Sequence, residues 1–226
     1  MTSAPRAHPR PQQARSRQTE HRILAAAIRV LGEAGAEGLT TSSVSAAAGV
    51  SVGSLYRRFG DKQRLLLATQ RELLREVEGR LVDSVVEMAP EVAEDPRATI
   101  RYMTIAMGRG FQLNPDALRA IMLVGLSDAT VFEAGRHLSL RARRLFATSV
   151  LRHRDVIRHP DPVAAVDFAY RLVHSSCAHR LLEGEFLDSP APDTWERMLD
   201  ELSTVNVDYL VGRESEDRAG SRDLSV

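Results

Sequence analysis

The stretch from residue 40 to residue 62, TTSSVSAAAGVSVGSLYRRFGDK, leaves this chain few ways to fold. It reads as two short helices around a tight turn, followed at once by a third. A hydroxyl of Thr40 or Thr41 caps the first helix by accepting a hydrogen bond from an orphan backbone N–H. Val44, Ala47 and Ala48 give that helix an apolar face at helical spacing. Gly49 stands where the chain leaves the helix, a place that calls for φ > 0, and Val50 fills the angle between the helices. Ser51 caps a second helix over 52–59, and the small Ala46, Ala47 and Ala48 let two helices approach closely. This is the pattern of a helix-turn-helix, in which the second helix enters the DNA major groove.

The residues around the motif keep the same register. Ile23, Ala27 and Gly35 precede it; Leu39, Thr40, Thr41, Val44, Ala48, Gly49, Val50, Ser51, Gly53, Leu55, Tyr56, Phe59, Lys62, Leu65 and Leu66 carry it through. From about residue 19 to residue 74 the chain resembles the DNA-binding domain of TetR-type transcriptional regulators. The resemblance implies an all-α protein. An N-terminal three-helix DNA-binding head with the helix-turn-helix would precede a C-terminal helical domain for ligand binding and dimerisation. The expected division is a basic arm without fixed structure over 1–18, the head over 19–64, a regulatory and dimerisation domain over 65–211, and a polar tail over 212–226.

The recognition helix would present Val52, Gly53, Ser54, Tyr56 and Arg57, with Ser51 at its cap. Residues at its N-terminal end reach base edges and later ones reach phosphates. Tyr56 offers a hydroxyl for phosphate and a ring for a sugar or a thymine methyl. Arg57 or Arg58 can reach phosphate, or guanine O6 and N7. By resemblance, Thr41 and Ser42 also face DNA, and Lys62 matches the family's lysine for the phosphate backbone. Lys62 is the one lysine in the chain. Val52, Gly53 and Ser54 carry few donors for bases, which shifts weight to van der Waals contact and groove shape.

Charge is divided along the chain. Residues 1–64 hold nine arginines and Lys62 against Glu20, Glu33, Glu37 and Asp61, a surplus of six positive charges. The whole chain is formally neutral, so the remainder is acidic to the same extent. A basic head on an acidic body suits a partner built of phosphates. Arg15 and Arg17, at the end of the proline- and arginine-rich 1–18 segment, are candidates for added phosphate or minor-groove contacts.

Helical periodicity places further helices over 18–34, 61–88, 97–111, from 115 through Leu126, and over 129–156, 161–184 and 193–211. Ile23, Ala27, Val30, Leu31 and Ala34 form the buried stripe of the first, and Pro90 and Pro96 bracket a break. The resemblance assigns dimerisation to the last two long helices. Ala165, Ala169 and Ser176 of one and Met198, Leu202, Val205 and Tyr209 of the other are the candidate interface. It also implies a cavity among the central helices. Tyr102, Met103, Met107, Phe111, Met122, Phe146 and Phe168 are the candidate lining, with Phe132 and Trp195 beside them. Such side chains favour an apolar or amphipathic small molecule.

Other classes fit less well. The sequence holds no Gly-rich phosphate loop, nucleophile elbow, HExxH or paired CxxC, so no catalytic residue or enzyme is expected. His174 and Cys177 share a helical face, but His179 lies off it by about 140°, so no metal site and no cofactor are expected. The single cysteine, Cys177, excludes an internal disulfide framework and fits a reducing cytoplasm. No apolar run approaches the ~18–20 residues that span a membrane, and no secretory signal is visible. The expected protein is a cytoplasmic homodimeric repressor, released from a palindromic, inverted-repeat operator in double-stranded DNA by a small-molecule effector. Alternatives are an architectural or ligand-independent DNA-binding protein and a metal-responsive regulator.

Overall fold

The structure, a computed structural model, describes residues 11–185 and 191–213, and among these residues there is no strand. The helices in order are α1 (Pro11–Gly38), α2 (Thr41–Ala48), α3 (Val52–Phe59), α4 (Lys62–Val86), α5 (Pro90–Glu94), α6 (Pro96–Gln112), α7 (Pro115–Gly125), α8 (Ala129–Val150), α9 (Pro162–Glu183) and α10 (Trp195–Val211). A 3-10 turn at Leu151–Val156 continues α8.

Short polar side chains start most of these helices by taking up orphan N–H groups. Thr40 and Ser43 form a reciprocal capping box at α2. Ser51 accepts from the Ser54 amide at α3, and Asp61 from the Arg64 amide at α4. Asp95, Asp128 and Asp161 do the same for α6, α8 and α9, and Thr194 for α10. The aspartates also complement the positive ends of their helix dipoles. Gly49 ends α2 at φ 62°, a left-handed turn that brings α3 across α2.

Ile23, Ala27 and Leu31 of α1, Leu39, Val44 of α2, and Leu55 and Phe59 of α3 meet Leu65 and Leu66 of α4 in the head. Further along α4, Leu73, Val77 and Leu81 face the body, where Ile100, Met103, Phe146, Val166, Val173 and Leu210 are buried. The two sets belong to one continuous hydrophobic core. A second junction packs α1 against α7, where a methyl at Gly32 would lie 3.5 Å from the Ala117 backbone nitrogen. Polar links reinforce the α4–α8 contact: Gln63 donates to Asp128 at 2.7 Å, and the buried Gln70 donates to the Val131 carbonyl at 2.7 Å.

Several sequence expectations change. Helix α1 begins at Pro11 rather than near Gln18, so 11–17 is helical; residues 1–10 lie outside the described residues, as does the 214–226 part of the tail. Ala34 is exposed, and Gly35 breaks the helix directly after it (φ 64°). Ala46 and Ala47 are also exposed; Val44, Ser45 and Ala48 form the inner face of α2. The proline-bracketed break contains the short α5. The run over 129–156 changes to a 3-10 turn at Leu151, and Leu126 points outward.

Helix α10 lies against α6 at a glycine. A Cβ on Gly108 would fall 2.1 Å from Leu199 Cδ2 and 2.8 Å from Leu199 Cδ1, and Leu199 is itself buried. Gly108→Val should therefore cost about 1–3 kcal/mol through overpacking. Urea unfolding monitored by circular dichroism checks this, and an unchanged or higher midpoint would contradict the close approach.

Candidate nucleic-acid interface and internal cavity

The capped turn leaves one face of α3 open. Leu55 and Phe59 are buried, while Val52, Tyr56 and Arg57 project outward, Tyr56 at 62% exposure. Ser51, Gly53 and Ser42 share this open side, with Thr41 and Ser54 partly covered. A methyl group on Gly53 would meet only Arg57 Nη1, at 3.8 Å. Packing within the protein therefore gives no reason for glycine at this position, although glycine costs a helix interior ~0.5–1 kcal/mol relative to alanine.

Arg57 and Arg58 are adjacent but differ in role. Arg57 is exposed. Arg58 turns back to α1, where its Nη1 donates to Glu20 Oε2 at 3.0 Å and its Nη2 to the Ser16 hydroxyl at 3.0 Å. This removes Arg58 from the open face and makes it a clamp between α1 and α3. Lys62 donates from Nζ to the Glu37 carbonyl at 3.0 Å, which leaves two of its three N–H donors for another acceptor. Arg15 and Arg17 are exposed on the N-terminal extension of α1. Arg57 and Lys62 put exposed positive charge on, and directly after, an α3 face made of hydroxyls, an aromatic ring and a glycine.

The body holds a cavity of about 360 Å³, open to solvent at a rim, between α4, α6, α7, α8 and α9. Of the expected lining, Met107, Phe111, Met122 and Phe132 face it. Tyr102 does not; its hydroxyl donates to the Ser84 carbonyl at 2.7 Å. Met103 and Phe146 are fully buried in the core. Phe168 lies outside on α9 at 48% exposure, and Trp195 packs beneath the Arg180 guanidinium at 5.2 Å. Gln70, Ser139, Tyr170 and His174 are lining residues that periodicity did not single out for this role. The signal for the last two was available: Tyr170 and His174 are four residues apart on the buried side of α9, and a polar side chain there needs a partner or a cavity.

Tyr170 bonds Ser139 through both the hydroxyl (3.0 Å) and the carbonyl (2.8 Å), and burial raises its pKa. Burial lowers the pKa of His174, which favours its neutral form. Its ring packs edge-on against Phe111 at 5.4 Å and near Tyr170 at 5.8 Å. Among the described residues, no three His, Cys, Asp or Glu side chains converge on a point that could hold a metal.

The outer face of α9 and α10 differs from the expected interface. Ala165 and Ala169 are wholly buried and Met198 nearly so, which directs all three into the monomer. Ser176 is partly covered and donates back to the Leu172 carbonyl. Phe168, Val205 and Tyr209 remain exposed, with the rings of Phe168 and Tyr209 5.3 Å apart and Leu202 partly exposed alongside. A sequence stripe marks which residues share a face but not which of two faces turns inward.

Comparison with known proteins matches this arrangement. Residues 23–69 fit the model of the bacterial regulatory proteins of the tetR family. The chain is 33% identical over 123 residues to the HTH-type transcriptional regulator BetI of Rhizobium meliloti, covering 54% of this chain and 58% of that protein. It is 39% identical over 128 residues to BetI of Brucella canis, covering 57% of this chain and 62% of the relative. The chain thus spans less than two thirds of the length of these relatives. Among solved structures, a transcriptional regulator from Rhodococcus sp. Rha1 superposes with a TM-score of 0.63 at 19% identity, covering 84% of this chain and 96% of that one. The TetR family regulator PfmR of Thermus thermophilus gives 0.56 at 21% identity, covering 86% and 97%. At that identity the superpositions speak for the fold alone. Residues 23–69 thus match a domain of the bacterial regulatory proteins of the tetR family, and the fold of the chain is similar to that of such a regulator. No helix among the described residues is long and apolar enough to cross a membrane.

Cys177 is buried, and burial pushes its thiol up to about 12. The thiolate is the reactive form, so alkylation of the native protein at pH 8 should run at least ~100-fold slower than for an exposed thiol. Labelling with iodoacetamide followed by mass spectrometry checks this; labelling as fast as in denaturant would contradict the burial.

Proposed function

We propose that the protein is a cytoplasmic homodimeric repressor. It reads an inverted-repeat operator with α3 and is released when an apolar or amphipathic small molecule fills the cavity of the body. The observation that carries the reading is the open face of α3, held out by the capped turn, with Arg57 exposed on it and Lys62 exposed directly after it. Ser51, Val52, Gly53 and Ser54 would approach the base edges, Tyr56, Arg57 and Lys62 the phosphates, and Thr41 and Ser42 the flank. Arg15 and Arg17 would add charge from the extension of α1. Arg58 would act through the α1–α3 clamp instead of through DNA.

One head covers only a few base pairs, and a two-fold dimer doubles the contact on a pseudo-palindrome. The exposed Phe168, Val205 and Tyr209, with the partly exposed Leu202, supply an apolar face for that dimer. Within each subunit α4 runs from the head to the cavity wall, where Gln70, Leu74, Val77 and Leu81 line it. A ligand that prefers a different packing of these residues shifts the heads and lowers operator affinity by the difference in its affinity for the two states.

Selection of bound duplexes from a random pool at ~150 mM salt, where non-specific phosphate binding is weak, tests the reading. Enrichment of one inverted repeat is expected; an unenriched pool would favour an architectural role. On the selected operator, Arg57→Ala should weaken binding and reduce the salt slope by about one unit. Gly53→Ala should leave the melting temperature unchanged or slightly raised while weakening operator binding, because the added methyl meets DNA and not protein. Equal operator affinity would remove Gly53 from the interface. Val205→Asp together with Phe168→Asp should yield monomers in analytical ultracentrifugation, and a persistent dimer would relocate the interface.

A further inference from the structure

Taking the cavity as the effector site proposed above, we infer that its ligand is a neutral, mainly apolar molecule carrying one hydrogen-bonding oxygen, such as an alcohol or ketone, seated on His174. The walls are apolar almost throughout, and no carboxylate lines them. The polar side chains that do face the cavity are nearly all engaged. Gln70 donates to the Val131 carbonyl. Tyr170 and Ser139 satisfy one another. Arg136, exposed at the rim, is paired with Glu133 at 2.9 Å.

His174 is the exception. Its ring is held by Phe111 and Tyr170 and makes no hydrogen bond among the described residues. Burial keeps the imidazole neutral, so one nitrogen donates and the other accepts. The ring is half-buried and lines the cavity, so a ligand oxygen can reach a nitrogen that no other described residue engages.

Charge argues against the two ionic alternatives. A carboxylate ligand would lose its hydration in this site, and the one lining cation is already paired. A quaternary ammonium would find aromatic rings but no lining carboxylate to offset its desolvation. The volume of about 360 Å³ lies at the small end of ligand pockets. Leu126, 78% exposed, and Phe132 stand at the rim and would be covered by a bound chain.

The test uses the full-length protein and four probes of one chain length: 1-octanol, 1-chlorooctane, octanoate and octyltrimethylammonium. Isothermal titration should rank 1-octanol tightest, ahead of 1-chlorooctane by about threefold to tenfold, the range of one net hydrogen bond. In His174→Leu that preference should vanish while 1-chlorooctane binds as before. In the wild type, 1-octanol should shift the ring ¹⁵N resonances of His174, a reading that does not depend on any variant folding. Tighter binding of octanoate or of the ammonium, an unmoved His174 resonance, or binding of none of the four would overturn the inference. Binding of 1-octanol that leaves operator affinity unchanged would instead uphold the ligand class and overturn the effector reading on which it rests.

Discussion

Helix α4 carries the molecule. Its first turns close the head, where Leu65 and Leu66 sit among Leu39, Val44, Leu55 and Phe59. Its later turns, through Leu73, Val77 and Leu81, belong to the body. A helix rises about 1.5 Å per residue and does not kink sharply without a break in its bonding. Between Lys62 and Val86 the described helix contains no such break. Gln70 marks the junction, reaching Val131 in α8 while also lining the cavity. Head and body therefore share a core instead of being joined by a linker. A change of packing around the cavity has a rigid path to α3.

The head was written in the sequence more plainly than the body. Thr40, Ser51 and Asp61 act as caps because a hydroxyl or carboxylate next to an apolar run has a local job, fixed within three residues. Gly49 takes a positive φ for an equally local reason. Arg57 and Arg58 show where local reasoning stops. Only the position of Glu20 and Ser16, far away in the chain, separates an outward arginine from one that clamps two helices together.

In the body, periodicity separates buried from exposed but says nothing of what covers a buried face. Met103 and Met107 lie one turn apart on α6, yet one is solid core and the other cavity wall. Ala165 and Ala169 have the small size that suits a close helix contact, and the contact they make is inside the monomer. Cavity walls depend on helix crossing angles and on what neighbouring helices fail to fill, neither of which is carried by one helix's own pattern. His174 is the informative residue: its side of α9 is readable from sequence, and its place on the cavity wall beside Phe111 becomes visible only once α6 and α9 are placed together.

The claim that head and body form one cooperative unit is tested most directly by hydrogen exchange on Phe146→Leu, a substitution buried in α8 away from the head. Removing ring atoms there should cost roughly 1 kcal/mol or more. If one core spans both parts, protection in the buried middle of α1 and in the first turns of α4 falls by the same amount as protection in α8. If protection falls in α8 alone and α1 stays as in the wild type, the two parts open independently, and the coupling assigned to α4 is contradicted.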